Sequence, residues 1–193
     1  MPFGLESAFL SISLLGALLN IGVIAQSIAF PISRVWPVPA DGGRFNGLRV
    51  FLNRAAAPII GLSVASILAL AVIDVGSLRL PSWLHISAGA GLFAAGGSFG
   101  WMGFRTLGPE ISTGMPGELQ VRGPYRISRN PQYVGAVGVL VGLVLLSNSL
   151  LVLLAVVPWC LWFWLAPLAE EPWLQEFLGE PYASYAAKTK RYL

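Results

Sequence analysis

Tyr133–Ala169 reads YVGAVGVLVGLVLLSNSLLVLLAVVPWCLWFWLAPLA, a stretch without one charged side chain. A helix crosses about 30 Å of hydrocarbon with roughly 20 residues, because each residue advances the axis by about 1.5 Å. This stretch is close to twice that length. Ser147-Asn148-Ser149 interrupts it near its middle with three small polar residues of the kind that turn a chain. It therefore predicts two antiparallel spans, about 132–147 and 150–169. Three further apolar runs, about 7–30, 50–73 and 83–104, are each long enough for one more. The expected fold is all-α: a polytopic transmembrane helical bundle of about five spans, forming a single domain over 1–193.

The composition agrees. With 55% hydrophobic and 11% charged residues and a mean hydropathy of +0.71, the chain has too few charges to cover a water-soluble surface. The first run carries Glu6 where a cleaved leader has basic residues, and it is longer than a leader's apolar core, so it reads as a retained anchor. One cysteine, Cys160, and one histidine leave neither an intrachain disulfide nor a Cys/His metal set. Five spans put Arg34, Arg44, Arg49, Arg54, Arg105, Arg122, Arg126, Arg129, Lys188, Lys190 and Arg191 on one face and leave Arg79 on the other. The positive-inside rule makes the crowded face cytoplasmic and the protein an inner-membrane one. These basic residues flank spans and are not interleaved with aromatics on a soluble surface, which argues against a nucleic-acid partner.

The connections differ in character. Loop one, 31–53, with three prolines and Gly42-Gly43, reads as irregular, and 74–82 as a short external turn. The third loop, 105–130, is long for so small a membrane protein, and Gly108-Pro109, Gly114, Pro116-Gly117 and Gly123-Pro124 prevent a regular helix through it. After the last span, Trp173, Leu174, Phe177, Tyr182 and Tyr185 recur at near-helical spacing, which predicts a short amphipathic helix against the membrane or under the bundle. Gly96/Gly100 and Gly138/Gly142 give the third and fourth spans small-residue faces for close packing, within the chain or between copies; the oligomeric state is left open.

Two clusters place polar chemistry at span ends. The first runs from Gly117-Glu118-Leu119-Gln120 through Gly123-Pro124-Tyr125 to Arg129-Asn130-Pro131-Gln132-Tyr133; the second is Glu170-Glu171 with the tail to Arg191. Pro131 suits the first turn of a helix, with Asn130 as its N-cap. Two adjacent carboxylates at a cytoplasmic span end call for a cationic partner, either Arg129 or a ligand.

Together, Gly123-Pro124-Tyr125, Arg129-Asn130-Pro131-Gln132-Tyr133-Val134-Gly135, Glu170-Glu171 and the Phe177-Gly179-Tyr182 tail resemble the C-terminal signature of the isoprenylcysteine carboxyl methyltransferase and phospholipid methyltransferase superfamily, over about residues 105–193. The resemblance implies an S-adenosylmethionine pocket built from 105–135 and 170–193. It implies Leu119, Gln120 and Tyr125 on the adenosine side, Asn130, Pro131 and Tyr133 beside the cofactor, and Glu170 or Glu171 at its amino group. Arg129 would pair the cofactor carboxylate or hold the glutamates, and Arg129 and Glu171 are the residues expected to act in catalysis. A lipophilic acceptor would arrive from the membrane lipid. Asn130 replaces the superfamily's usual histidine, keeping hydrogen bonding but removing a titrating group. Trp164, Leu165, Ala166 and Pro167 stand where the carboxyl methyltransferases have an arginine, which favours a neutral or amine-bearing acceptor or a thiol over a carboxylate. Two other readings stay open. Sterol reductases resemble the superfamily in the same half and bind NADPH there; a non-catalytic membrane subunit could keep the fold.

Overall fold

The computed structural model describes residues 4–37, 47–115 and 117–193, the side chains of 47–54 excepted. Gly42-Gly43, Arg44, Pro116 and the side chains of Arg49 and Arg54 therefore lie outside the described residues. Five long helices make the bundle: α1 Leu5–Ala29, α2 Gly47–Ile73, α3 Ser82–Leu107, α5 Pro131–Ser147 and α6 Leu150–Leu178. One helical turn, α4 Pro109–Ser112, follows α3, and α7 Glu180–Ala186 follows α6. No strand is formed among the described residues, although Ser128 and Lys190 make an isolated parallel bridge. Leu5–Ala29, Ala55–Ile73 and Leu150–Leu178 are long and apolar enough to cross a membrane. The 17 residues of α5 are apolar but shorter, and six glycines with His85 and Arg105 lower the hydropathy of α3.

The expected turn at Ser147–Ser149 is present. Asn148 adopts the left-handed conformation that ends α5, and Ser149 opens α6 by accepting a hydrogen bond from the Val152 amide. Asp74, at the end of α2, accepts from the Ser77 and Ser149 hydroxyls and the Leu151 amide, which ties the two turns together at one end of the bundle. Arg79 is in that tied turn, while Arg34, Arg105, Arg122, Arg126, Arg129, Lys188, Lys190 and Arg191 lie at the opposite end.

Lateral packing runs α3 on α5, α5 on α6, α6 on α1 and α1 on α2. The glycine faces meet within the chain. A Cβ on Gly135 would stand 2.4 Å from the Gly100 nitrogen, and one on Gly96 would stand 2.7 Å from the Gly135 carbonyl oxygen. Backbones this close exclude any side chain at either position. Ala17, Leu70, Val152, Val156 and Trp159 fill the core on the other side, between α1, α2 and α6.

One expectation is corrected. The near-helical pattern after Ala169 is divided between two helices: α6 continues through Glu170-Glu171 to Leu178 with Trp173, Leu174 and Phe177, and the short C-terminal helix α7, with Tyr182 and Tyr185, begins only after Gly179, whose positive φ turns the chain. Pro158, Pro167 and Pro172 sit inside α6 without ending it.

Candidate active site

At the end of the bundle where the basic residues gather, the third loop folds back against the last turns of α6 and against α7. Gly123–Arg126 forms a short 3-10 turn, and the Tyr185 hydroxyl donates to the Tyr125 carbonyl oxygen at 2.7 Å. Between these segments lies a pocket lined by Trp36, Ser112, Glu118, Leu119, Gln120, Tyr125, Arg129, Asn130, Gln132, Tyr133 and Glu170, with Trp173, Tyr182 and Tyr185 on the α6–α7 side. Burial pushes the Tyr125 and Tyr185 hydroxyls each up to about 12. Both are therefore neutral hydrogen-bonding groups at physiological pH.

The structure separates the two glutamates. Glu170 is on the pocket wall, where its Oε1 accepts from Trp36 Nε1 at 2.7 Å and from the Tyr133 hydroxyl. Burial pushes its carboxyl up to about 7; Tyr133 and Trp36 oppose that shift through their hydrogen bonds, and Glu171 adds a smaller upward push. Glu171 is not on the wall. Arg129 Nε and Nη2 grip it at 2.9–3.0 Å, and Arg191 Nη2 reaches its Oε2 at 2.7 Å.

Arg129 is fully engaged in this arrangement. Its Nη1 donates to the carbonyl oxygens of Ala186 at 2.8 Å and Thr189 at 2.7 Å, so all three guanidinium nitrogens have protein acceptors. Its backbone amide donates to the Lys190 carbonyl at 2.9 Å, and Asn130 Nδ2 donates to the Arg191 carbonyl at 3.0 Å. Asn130 thus occupies the N-cap position of α5, but its side chain fastens the tail and caps nothing. Pro131 is buried in the first turn of α5 and is off the pocket wall.

Leu119, Gln120, Tyr125, Asn130, Tyr133 and Glu170 are accordingly brought together around one pocket; Arg129 reaches its wall only as part of the clasp that holds Glu171 and the tail. Sequence reasoning missed Trp36 and Gln132. Gln132 Nε2 links Ser112 Oγ at 2.9 Å to the Tyr125 hydroxyl at 3.1 Å. The one hint of Trp36 was a tryptophan beside a proline in an otherwise irregular loop.

A second cavity, of about 840 Å³, lies between α2, α3, α5 and α6. Ile60, Ile67, Phe93, Val139, Leu143 and Trp162 are among its mostly apolar lining residues. It meets the first pocket at four shared residues: Trp36, Ser112, Gln132 and Tyr133. A polar pocket and an apolar one thus share a wall at the end of α5.

No curated protein and no solved structure matches this chain. The profile of the phospholipid methyltransferase family matches residues 84–181, from the first turn of α3 to the start of α7, which includes every pocket segment except Trp36, Pro37, Tyr182 and Tyr185. That match takes in half of the chain, and the protein belongs to the phospholipid methyltransferase family.

Proposed function

We propose that the protein transfers a methyl group from S-adenosylmethionine to the amine of a lipid, with the cofactor entering from the cytoplasm and the acceptor from the bilayer. The observation that carries this reading is the shared wall: a polar pocket and a large apolar cavity meet at Trp36, Ser112, Gln132 and Tyr133. A soluble donor and a membrane-dissolved acceptor need such a meeting point.

The residues present fit the cofactor. Glu170 is partly buried on the pocket wall and has no cationic partner among the described residues, so it favours a positively charged ligand. Leu119, Gln120 and Tyr125 would flank the adenosine, Asn130 and Tyr133 would stand beside the cofactor, and Glu170 would face its positive charge. The cofactor supplies a methyl group on a sulfonium, open to in-line displacement by a nucleophile. The chain contributes alignment and dryness: Trp173, Leu174 and Leu178 close one side of the pocket, and Tyr133 fixes the boundary with the apolar cavity. Glu171 and Arg129 act at one remove, holding the C-terminal tail against the pocket.

The pocket favours this donor over NADPH. Arg129 is the sole cation on the described wall, and its guanidinium is already committed to Glu171 and to the Ala186 and Thr189 carbonyls, away from a 2′-phosphate. Calorimetry on the purified protein tests the reading: S-adenosylmethionine is expected to bind and NADPH is not. Absence of S-adenosylmethionine binding at millimolar concentration would overturn it. Labelled methyl donor supplied to native membranes should label an amine lipid.

A further inference from the structure

An amine lipid presents a difficulty that a carboxylate acceptor does not. Its nitrogen, like that of lysine, has an ordinary pKa of about 10.4, so near neutral pH the lone pair is held in an N–H bond. Some group at the boundary between the two cavities has to take that proton.

Tyr133 and Trp36 line both cavities, and both donate to the same oxygen of Glu170. The Tyr133 ring is locked in place, with Trp162 edge-on at 6.0 Å and Phe163 at 5.7 Å between ring centres. Its hydroxyl therefore stands at the boundary, with the apolar cavity on one side and the Glu170 carboxylate on the other. The titratable and charged groups around Glu170 are Tyr133 on α5, Tyr125 on the third loop, Tyr182 on α7 and Glu171 beside it. Glu171 is already neutralised by Arg129 and Arg191. Glu118 is exposed where it joins the pocket wall.

Resting on the methyltransferase reading above, we propose that Tyr133 and Glu170 act as one proton-accepting unit for the acceptor. The ammonium of a lipid seated at the head of the apolar cavity gives a proton to Tyr133 Oη, while the Tyr133 hydroxyl proton passes to Glu170 Oε1. The N–H electron pair stays on nitrogen. The step converts an ammonium and a carboxylate into a neutral amine and a carboxylic acid, and Glu170 later loses its proton to water by way of the pocket it lines. Trp36 keeps Oε1 turned toward Tyr133.

The test uses the whole protein in lipid nanodiscs, first without cofactor. Because Trp36, Trp101, Trp159 and Trp162 line the apolar cavity, ω-bromoundecylamine and ω-bromoundecanol should quench tryptophan fluorescence when they bind. At about pH 8 the amine is expected to bind roughly tenfold or more tighter than the alcohol, and that preference should vanish at about pH 5.5 as Glu170 is protonated. Glu170→Gln should abolish the preference while leaving alcohol binding intact, which also reports that the variant is folded. Tyr133→Phe should bind the amine and S-adenosylmethionine within about threefold of wild type. Its methyl transfer to the amine should nevertheless fall about 100-fold near pH 7 and recover by roughly tenfold per pH unit above that, as solvent takes over the deprotonation. An amine preference that does not change with pH or in Glu170→Gln would overturn the proposal, as would wild-type turnover and pH profile in Tyr133→Phe. Failure of S-adenosylmethionine to bind wild type would instead sink the methyltransferase reading, which the cofactor-free amine measurement does not depend on.

Discussion

Glu171→Gln separates two roles for a residue that the family resemblance implies beside the cofactor. The side chains of Arg129 and Glu171 are 12% and 11% exposed, so their pairing is largely out of water, whereas Arg191 is 38% exposed. Glutamine keeps the shape but replaces one acceptor oxygen with an NH2 group. If that group falls at Oε2, two charge-assisted hydrogen bonds are lost, from Arg129 Nη2 at 2.9 Å and Arg191 Nη2 at 2.7 Å. At about 1.5–3 kcal/mol each the loss would be about 3–6 kcal/mol. Water reaches Arg191 and recovers part of that, leaving about 2–4 kcal/mol. The loss is local, because Arg129 also holds the carbonyls of Ala186 and Thr189. The expected result is opening of the tail by about 30-fold to several hundred-fold, at 1.4 kcal/mol per factor of ten. Limited trypsin digestion at Lys188 and Lys190, followed by mass spectrometry, reads that opening when cleavage is slow relative to reclosing. In the cold, where the tail stays closed for most of the time, S-adenosylmethionine affinity should remain within about threefold of wild type. A collapse of affinity with an undisturbed tail would make Glu171 a direct cofactor ligand and refute the clasp.

Two other outcomes follow from the same geometry. Gly135→Ala forces α3 and α5 apart by about 1 Å and should cost about 1–3 kcal/mol in detergent denaturation, because its Cβ would stand 2.4 Å from Gly100 N and 2.6 Å from Gly96 O. Gly100→Ala, whose Cβ would meet nothing nearer than 3.4 Å, should stay close to wild type, and equal losses in the two variants would contradict the close packing. As for pH, the Glu170 carboxyl is raised from 4.5 to about 7, so the fold favours the neutral form and the free protein loses stability as pH rises through that window. Affinity for a cationic cofactor should run the other way, rising by up to about tenfold per pH unit until about pH 7 and then levelling. Calorimetric titrations at several pH values check the second trend, which should be flat in Glu170→Gln.

The bundle was legible because its determinants are local. Apolar runs, a Ser-Asn-Ser turn and glycines four residues apart each constrain the chain where they stand: each run lies in a long helix, the turn joins α5 to α6, and the glycines meet between α3 and α5. The site was legible only where its residues are neighbours in sequence, from Leu119 to Tyr133. Trp36 reaches Glu170 across more than half the chain, and Arg129 meets Ala186, Thr189 and Lys190 through backbone carbonyls that have no side-chain signature. Long-range partners of this kind leave no periodicity to detect.

The glutamate pair shows why adjacency misleads. On a helix, consecutive residues point about 100° apart, so two neighbouring carboxylates cannot face one ligand together while the helix continues. Because α6 runs on past Ala169, Glu170 turns toward the pocket and Glu171 toward Arg129. That division determines the chemistry. Arg129 and Arg191 satisfy Glu171 so completely that no cation on the described pocket wall remains to neutralise Glu170. A partly buried carboxylate without a counter-charge either takes a proton or selects a cation, and the raised Glu170 carboxyl expresses the first choice in the empty protein. The clasp thus does more than hold the tail: by consuming the cations, it leaves Glu170 free to respond to the positive charge of a donor or of an ammonium acceptor.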